Sequence, residues 1–150
     1  MTGGPLLPSI VAENRPFWEG ARQGELRVQR CRKTGRLIFP PRLRSPWAPE
    51  VGIEPEWTAV SGRGTLWSFV VPHPPLLPYY AERAPYNVIL VALDEDPTIR
   101  MVGNLVASVG SGIDSVDPAT IEIGAAVRAV FDPVTDDVTL PRWVAVCEET

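Results

Sequence analysis

Residues 14–49 read NRPFWEGARQGELRVQRCRKTGRLIFPPRLRSPWAP, and this stretch decides how the rest of the chain is understood. Two short loops fall at Cys31-Arg-Lys-Thr34 and Ser45-Pro-Trp-Ala48. A zinc module carries two CxxC pairs at this spacing, yet here one sulfur stands where four are needed. A hydroxyl is a poor zinc ligand and a methyl group is none, so the spacing predicts a metal-type hairpin that holds no zinc. Metal binding is folding free energy for so small a unit. Leu37, Ile38, Phe39, Trp47 and Trp57, or a docked partner, are expected to supply it instead.

Outward from the loops, Asn14 is placed to cap a short helix with Pro16 in its first turn and Gly24 at its end. Two turns are too short to persist alone, so Phe17 and Trp18 are expected to pack on the core or on a partner. From Glu25 the alternation of Leu26 and Val28 with Arg27 and Gln29 predicts a strand. Thr34-Gly35 is a turn, and Arg36–Phe39 a return strand stopped by Pro40-Pro41. Residues 1–13, with Gly3, Gly4, Pro5 and Pro8, read as a flexible arm.

The stretch is also strongly basic. Residues 15–44 carry a formal +7 inside a chain of net −4, which leaves −11 elsewhere. A basic lobe on an acidic body suits a phosphate-bearing ligand, an acidic partner surface or a nucleic acid, or is a solvated face balancing acidic loops.

Beyond Trp57 the pattern changes to longer apolar strands: 65–71, 86–93, 99–107, 126–131 and 138–146. Five strands without long helical patterns between them predict a small barrel, and 17 prolines with 12 glycines favour strands and turns over helices. Gly62, Gly64 and Gly103 stand where bent strands need a residue without Cβ. Pro72–Pro78, running on to Pro85, is the longest loop, at the barrel rim. The expected organisation is an arm at 1–13, helix and degenerate ribbon at 14–56, and barrel at 57–150, joined through 49–56. At 150 residues the chain can bury about two-thirds of its unfolded surface. Two cysteines make no disulfide framework, and no apolar run approaches the about eighteen residues of a membrane span, so a cytoplasmic chain is expected.

In order, RPFWEG, GELRVQRC, GRLIFPPR, SGRGTLWSFVVPH, PYNVILVALDE, GNLV, IGAAVRAVF and TLPRWVAV resemble the family of small proteins that join a rubredoxin-like zinc ribbon to an OB-fold. The resemblance covers residues 14–146. It implies a mainly β protein made of a short N-terminal helix, a ribbon hairpin and a five-stranded OB-fold barrel. It also implies an accessory subunit that associates with thiolase-fold enzymes, among them thiolases, acyltransferases and steroid side-chain retro-aldolases, and helps form their acyl-CoA tunnels. The family has four cysteines in the ribbon, and of these positions Cys31 alone keeps its thiol.

A self-contained catalytic set is not legible. GxSxG, HExxH, the P-loop and GxGxxG are all missing, and Gly110-Ser111-Gly112 is a turn. The chain's one histidine, His73, sits between prolines in the rim loop, open to acid–base work, to ligand or partner contact, or to simple exposure. Cys31 lies beside Arg30, Arg32 and Lys33 but reads as a leftover ligand, while Asp94–Asp96 and Asp132, Asp136 and Asp137 read as solvated turns. The contact candidates are Arg32 and Arg36 on the basic face, and Trp67, His73, Tyr79, Tyr80, Tyr86 and Asn104 on strands or rim loop. A coenzyme A thioester is the expected ligand and a thiolase-fold subunit the expected partner, in a hetero-oligomer. Two alternatives stand beside this: a single-strand nucleic-acid binder, which the acidic barrel disfavours, and a freestanding thioester enzyme using His73.

Overall fold

The computed structural model describes residues 3–50 and 52–147; Met1, Thr2, Val51 and residues 148–150 lie outside it, including the ends of the expected arm and barrel. Helix α1 (Arg15–Arg22) is followed by strands β1 (Leu26–Arg30), β2 (Leu37–Ile38), β3 (Glu56–Val60) and β4 (Arg63–Val70). A one-turn helix α2 (Pro78–Ala81), then β5 (Val88–Leu93), β6 (Arg100–Gly103), β7 (Ala126–Pro133) and β8 (Thr139–Ala145) complete the order. The chain is mainly β, as its sequence predicts, and the five later strands correspond to the five apolar runs.

Those five form one curled antiparallel sheet, ordered β6-β5-β4-β7-β8. Its edges meet at one end through a parallel bridge between Leu105 and Trp143. There the Trp143 amide donates to the Asn104 carbonyl at 3.0 Å and the Val106 amide to the Trp143 carbonyl at 2.8 Å. The strand expected at 99–107 therefore breaks after Gly103, where the chain turns from β5 to β8. Two glycines make the curl possible. A Cβ on Gly64 would lie 2.5 Å from the Ala92 carbonyl oxygen of β5, and one on Gly103 would lie 2.7 Å from the Trp143 ring. No side chain fits either place.

Strand β3 departs from the expectation for residues beyond Trp57. It pairs along its whole length with β1, from Leu26 opposite Val60 to Arg30 opposite Glu56, in a second sheet ordered β2-β1-β3. Leu26 and Val28 of β1 belong to the same buried cluster as Leu66, Ile89, Val91, Leu93, Met101, Val127 and Trp143. The two sheets thus share one core, in which each fully buried aliphatic side chain contributes about 1.5–3 kcal/mol. Ser61 ties the β3–β4 corner to the β5–β6 turn, since its amide and hydroxyl both donate to the Glu95 carboxylate at 2.6 and 2.9 Å. Glu95 is thus a fastening, not a purely solvated charge.

Local chemistry differs from the sequence reading at three further places. Asn14 sits at the helix start without capping it; its side chain turns back, accepting from the Val11 amide at 2.8 Å and donating to the Ser9 carbonyl at 3.0 Å. Gln29, expected on the polar face of β1, is buried because its amide accepts from the Arg42 backbone and donates to the same residue's carbonyl. The return strand shrinks to Leu37 and Ile38. Phe17 and Phe39 pack together against the main core, ring centres 6.1 Å apart, so the helix is held by packing.

Candidate interface and ligand cavity

The four ribbon positions still converge. Cys31, Ser45 and Ala48 are each at most 1% exposed, and Ile38 packs with Cys31 and Ala48 in a small cluster of its own. Hydrogen bonds from Ser45, then Thr34, bring the Cys31 thiol from 9.0 to about 7, against burial, which acts the other way. One thiol, two hydroxyls and a methyl do not make a zinc ligand set. No group of three or more His, Cys, Asp or Glu side chains is placed to hold a metal among the described residues. Cys31 thus packs against Ile38 and Ala48, with the Ser45 and Thr34 side chains beside its thiol.

Around this cluster the basic lobe is partly neutralised from within. Arg30 pairs with Glu56 at 2.9 Å, Arg32 reaches Glu56 at 3.5 Å and the Glu54 carbonyl at 2.9 Å, and Lys33 pairs with Glu50. Arg36 lies over the half-exposed Trp47 ring, 3.4 Å from its centre. Both contact candidates on the ribbon, Arg32 and Arg36, thus also brace the hairpin.

The other six candidates separate into four places. Tyr79, Tyr80 and Tyr86 come together: the Tyr80 ring centre is 5.1 Å from Tyr79 and 5.8 Å from Tyr86, and the Tyr80 hydroxyl accepts from the Leu6 amide. Arg83 covers Tyr79. Tyr86 is 7% exposed, and burial, with a smaller effect of Tyr80, holds its phenol above the ordinary 10.0. His73 stands exposed in the loop between β4 and α2.

Trp67 lies on the outside of the barrel at a bulge in the β4–β5 pairing, 47% exposed, with Arg100 of β6 stacked 3.7 Å from its ring centre. Beside it runs an apolar face. Ser68, Leu90 and Val102 align in register across β4, β5 and β6, and Val70 faces Val88 in the next row. Val70 is 60% and Val102 71% exposed, and these side chains line a shallow groove. This exposed apolar face is the candidate contact surface of the OB-fold.

Asn104 belongs to a polar network at the closed end of the barrel. The fully buried Asn87 donates to the Leu105 carbonyl at 2.9 Å and accepts from the Leu105 amide at 2.7 Å, acting as a strand partner where no strand lies. Asn104 donates to the Asn87 carbonyl and accepts from Arg142, which also donates to Asp132 at 3.1 Å. Asp132 is therefore a partner of a buried arginine rather than a solvated charge. Asn87 and Arg142 were not legible as site residues; the signal available was a polar residue inside each of two otherwise apolar runs.

Beside this network, where β6 and β8 diverge from their bridged end, a cavity of about 410 Å³ opens. Helix α1 and Phe39 close its other side.

Comparison with known proteins places the whole arrangement. Residues 57–132 match the family model described as the ChsH2 C-terminal OB-fold domain, and residues 18–44 the ChsH2 rubredoxin-like zinc ribbon domain. The chain is 34% identical over 138 residues to the 3-oxo-4,17-pregnadiene-20-carboxyl-CoA hydratase alpha subunit of Mycobacterium tuberculosis. That match takes in 92% of this chain but 38% of the relative, so the chain spans about two-fifths of it. A DUF35 domain-containing scaffold protein of Methanothermobacter thermautotrophicus is 32% identical, with 72% of each chain covered. A solved chain of the Ltp2-ChsH2(DUF35) aldolase superposes with a TM-score of 0.77 at 31% identity, over 93% of this chain and 98% of that one. With both family models matched in order on a ribbon and a barrel that share one core, the chain belongs to the ChsH2 family of zinc-ribbon and OB-fold proteins.

Proposed function

We propose that this chain is a non-catalytic accessory subunit that binds a thiolase-like acyl-CoA enzyme and helps form its acyl-CoA site, in lipid or steroid side-chain breakdown. The reading rests on one observation above others: the chain matches nearly the full length of a DUF35 chain from an aldolase assembly. Two features of the molecule agree with it. The candidate acid–base residue, His73, is exposed on a loop, and the OB-fold presents an exposed apolar face at Trp67, Val70 and Val102. The partner is a thiolase, an acyltransferase or a retro-aldolase; the CoA phosphates meet the ribbon lobe at Arg32 and Arg36, and the OB-fold face meets the enzyme. The ribbon holds no zinc in this reading, and metal analysis finding one zinc per chain would remove that part of it.

Co-expression with a thiolase-fold enzyme encoded beside this chain, followed by mass measurement of the complex, tests the role. The expected result is a stable hetero-oligomer, weakened about tenfold or more by Val102→Asp at the centre of the apolar face. Charge reversal at Arg32 and Arg36 is expected to lower acyl-CoA affinity while leaving the mass of the complex unchanged. Failure of the wild-type chain to assemble with, or alter the activity of, any such enzyme would sink the proposal.

A further inference from the structure

We infer that the open seam of the barrel is a binding site, within this chain alone, for an apolar molecule with one anionic end. The inference goes beyond the accessory role, because every group it uses belongs to this chain and none to a partner enzyme.

The seam exists because the five-stranded sheet closes at one end and not at the other. Leu105 and Trp143 bridge the edges, while Arg100–Asn104 and Leu140–Trp143 flank the space that remains. Its walls are Phe17, Trp18, Phe39, Met101, Leu140 and Trp143, from four segments far apart in sequence. About 410 Å³ lies within the range of small-molecule sites, which are largely apolar with a few placed polar groups. Gly103 contributes to that space, since a Cβ there would lie 2.7 Å from Trp143 Cδ1.

The polar groups settle the character of the ligand. Arg142, on the seam, is 8% exposed and is neutralised by Asp132 and held by Asn104. Arg100 is different. It is exposed at the mouth, stacked on Trp67, and pairs with no carboxylate among the described residues. The seam therefore presents an apolar body and a single uncompensated cation at its entrance. A medium-chain or alicyclic carboxylate matches that pattern; a multiply charged or fully polar ligand does not, because burying its charges unpaired would cost more than the contact returns.

Titration of the purified chain with decanoate, decanol and acetate, followed by calorimetry and tryptophan fluorescence, tests the assignment. One decanoate is expected to bind per chain, with acetate silent and decanol weaker. Arg100→Gln should weaken decanoate about threefold to fivefold and leave decanol unchanged, the size of an exposed charge pair. Leu140→Trp should fill the cavity and weaken both amphiphiles more than tenfold. If Leu140→Trp does not fold, Arg100→Gln decides alone, since its side chain lies at the surface. Absence of saturable decanoate binding by the folded wild-type chain would overturn the inference, as would decanoate binding that Arg100→Gln leaves untouched. Assembly with an enzyme partner, measured on the same samples, reports separately on the accessory role.

Discussion

The barrel and the ribbon are held by different means. The barrel has a continuous core in which Trp143, Leu66, Ile89 and Val91 are almost wholly removed from water. The ribbon has a cluster of three buried apolar side chains, Cys31, Ile38 and Ala48, and a fringe of charge pairs. What lets the smaller region keep its shape is β1, which carries the hairpin at one end and inserts Leu26 and Val28 into the barrel core. A ribbon attached in this way gets its register from the barrel side.

That contrast can be broken by measurement. Trp143→Ala, at the centre of the shared core, is expected to cost about 3–5 kcal/mol in denaturant unfolding. Ile38→Ala, in the ribbon cluster, is expected to cost about 2 kcal/mol, at the low end for such a change because so few neighbours surround it. Equal costs would mean that the ribbon contributes to global stability as the barrel does, and the distinction would fall. Arg30→Gln, which removes the exposed pair with Glu56, should change stability by less than about 1 kcal/mol.

The smallest effect is visible only in alkali. Tyr86 has its phenol held above the ordinary 10.0 by burial. A raised folded value means that its contribution to stability is complete below the unfolded value and is lost as pH rises past 10.0 toward the folded one. Tyr86→Phe should therefore flatten the alkaline limb of the stability curve and leave neutral pH unchanged; an unaltered limb would exclude Tyr86 as its source.

The barrel strands were legible because their apolar runs are bounded by glycine, proline and acidic turns: TLWSFVV falls on β4, and YNVILVAL ends with β5. The same runs carried a signal that alternation alone does not use. LWSFVV and VILVAL are apolar on nearly every position, as in strands that need cover on both faces, and their outer residues, with Val102 of β6, line the exposed groove. The partner of β3 was not legible, since Trp57 onward reads as a strand whichever sheet it joins. Nor was the seam, whose walls come from residues near 17, 39, 101 and 141 and meet through tertiary closure alone. Trp67, His73, the three tyrosines and Asn104 were expected as one set of contacts; that the tyrosines cluster by themselves and Asn104 joins Asn87 and Arg142 was not legible, because a buried amide that replaces a strand leaves no periodicity behind.

The position of Trp143 has a consequence for how the chain is made. Its ring fills the core that Leu26 and Val28 enter from the other end of the sequence, and its backbone supplies the bridge that joins the sheet edges. During synthesis from the N-terminus, the apolar faces of β1, β4 and β5 emerge well before the residue that covers them. Until β8 leaves the ribosome the nascent chain holds an open sheet, and that interval is when a chaperone, or a partner already at hand, has its best access to it.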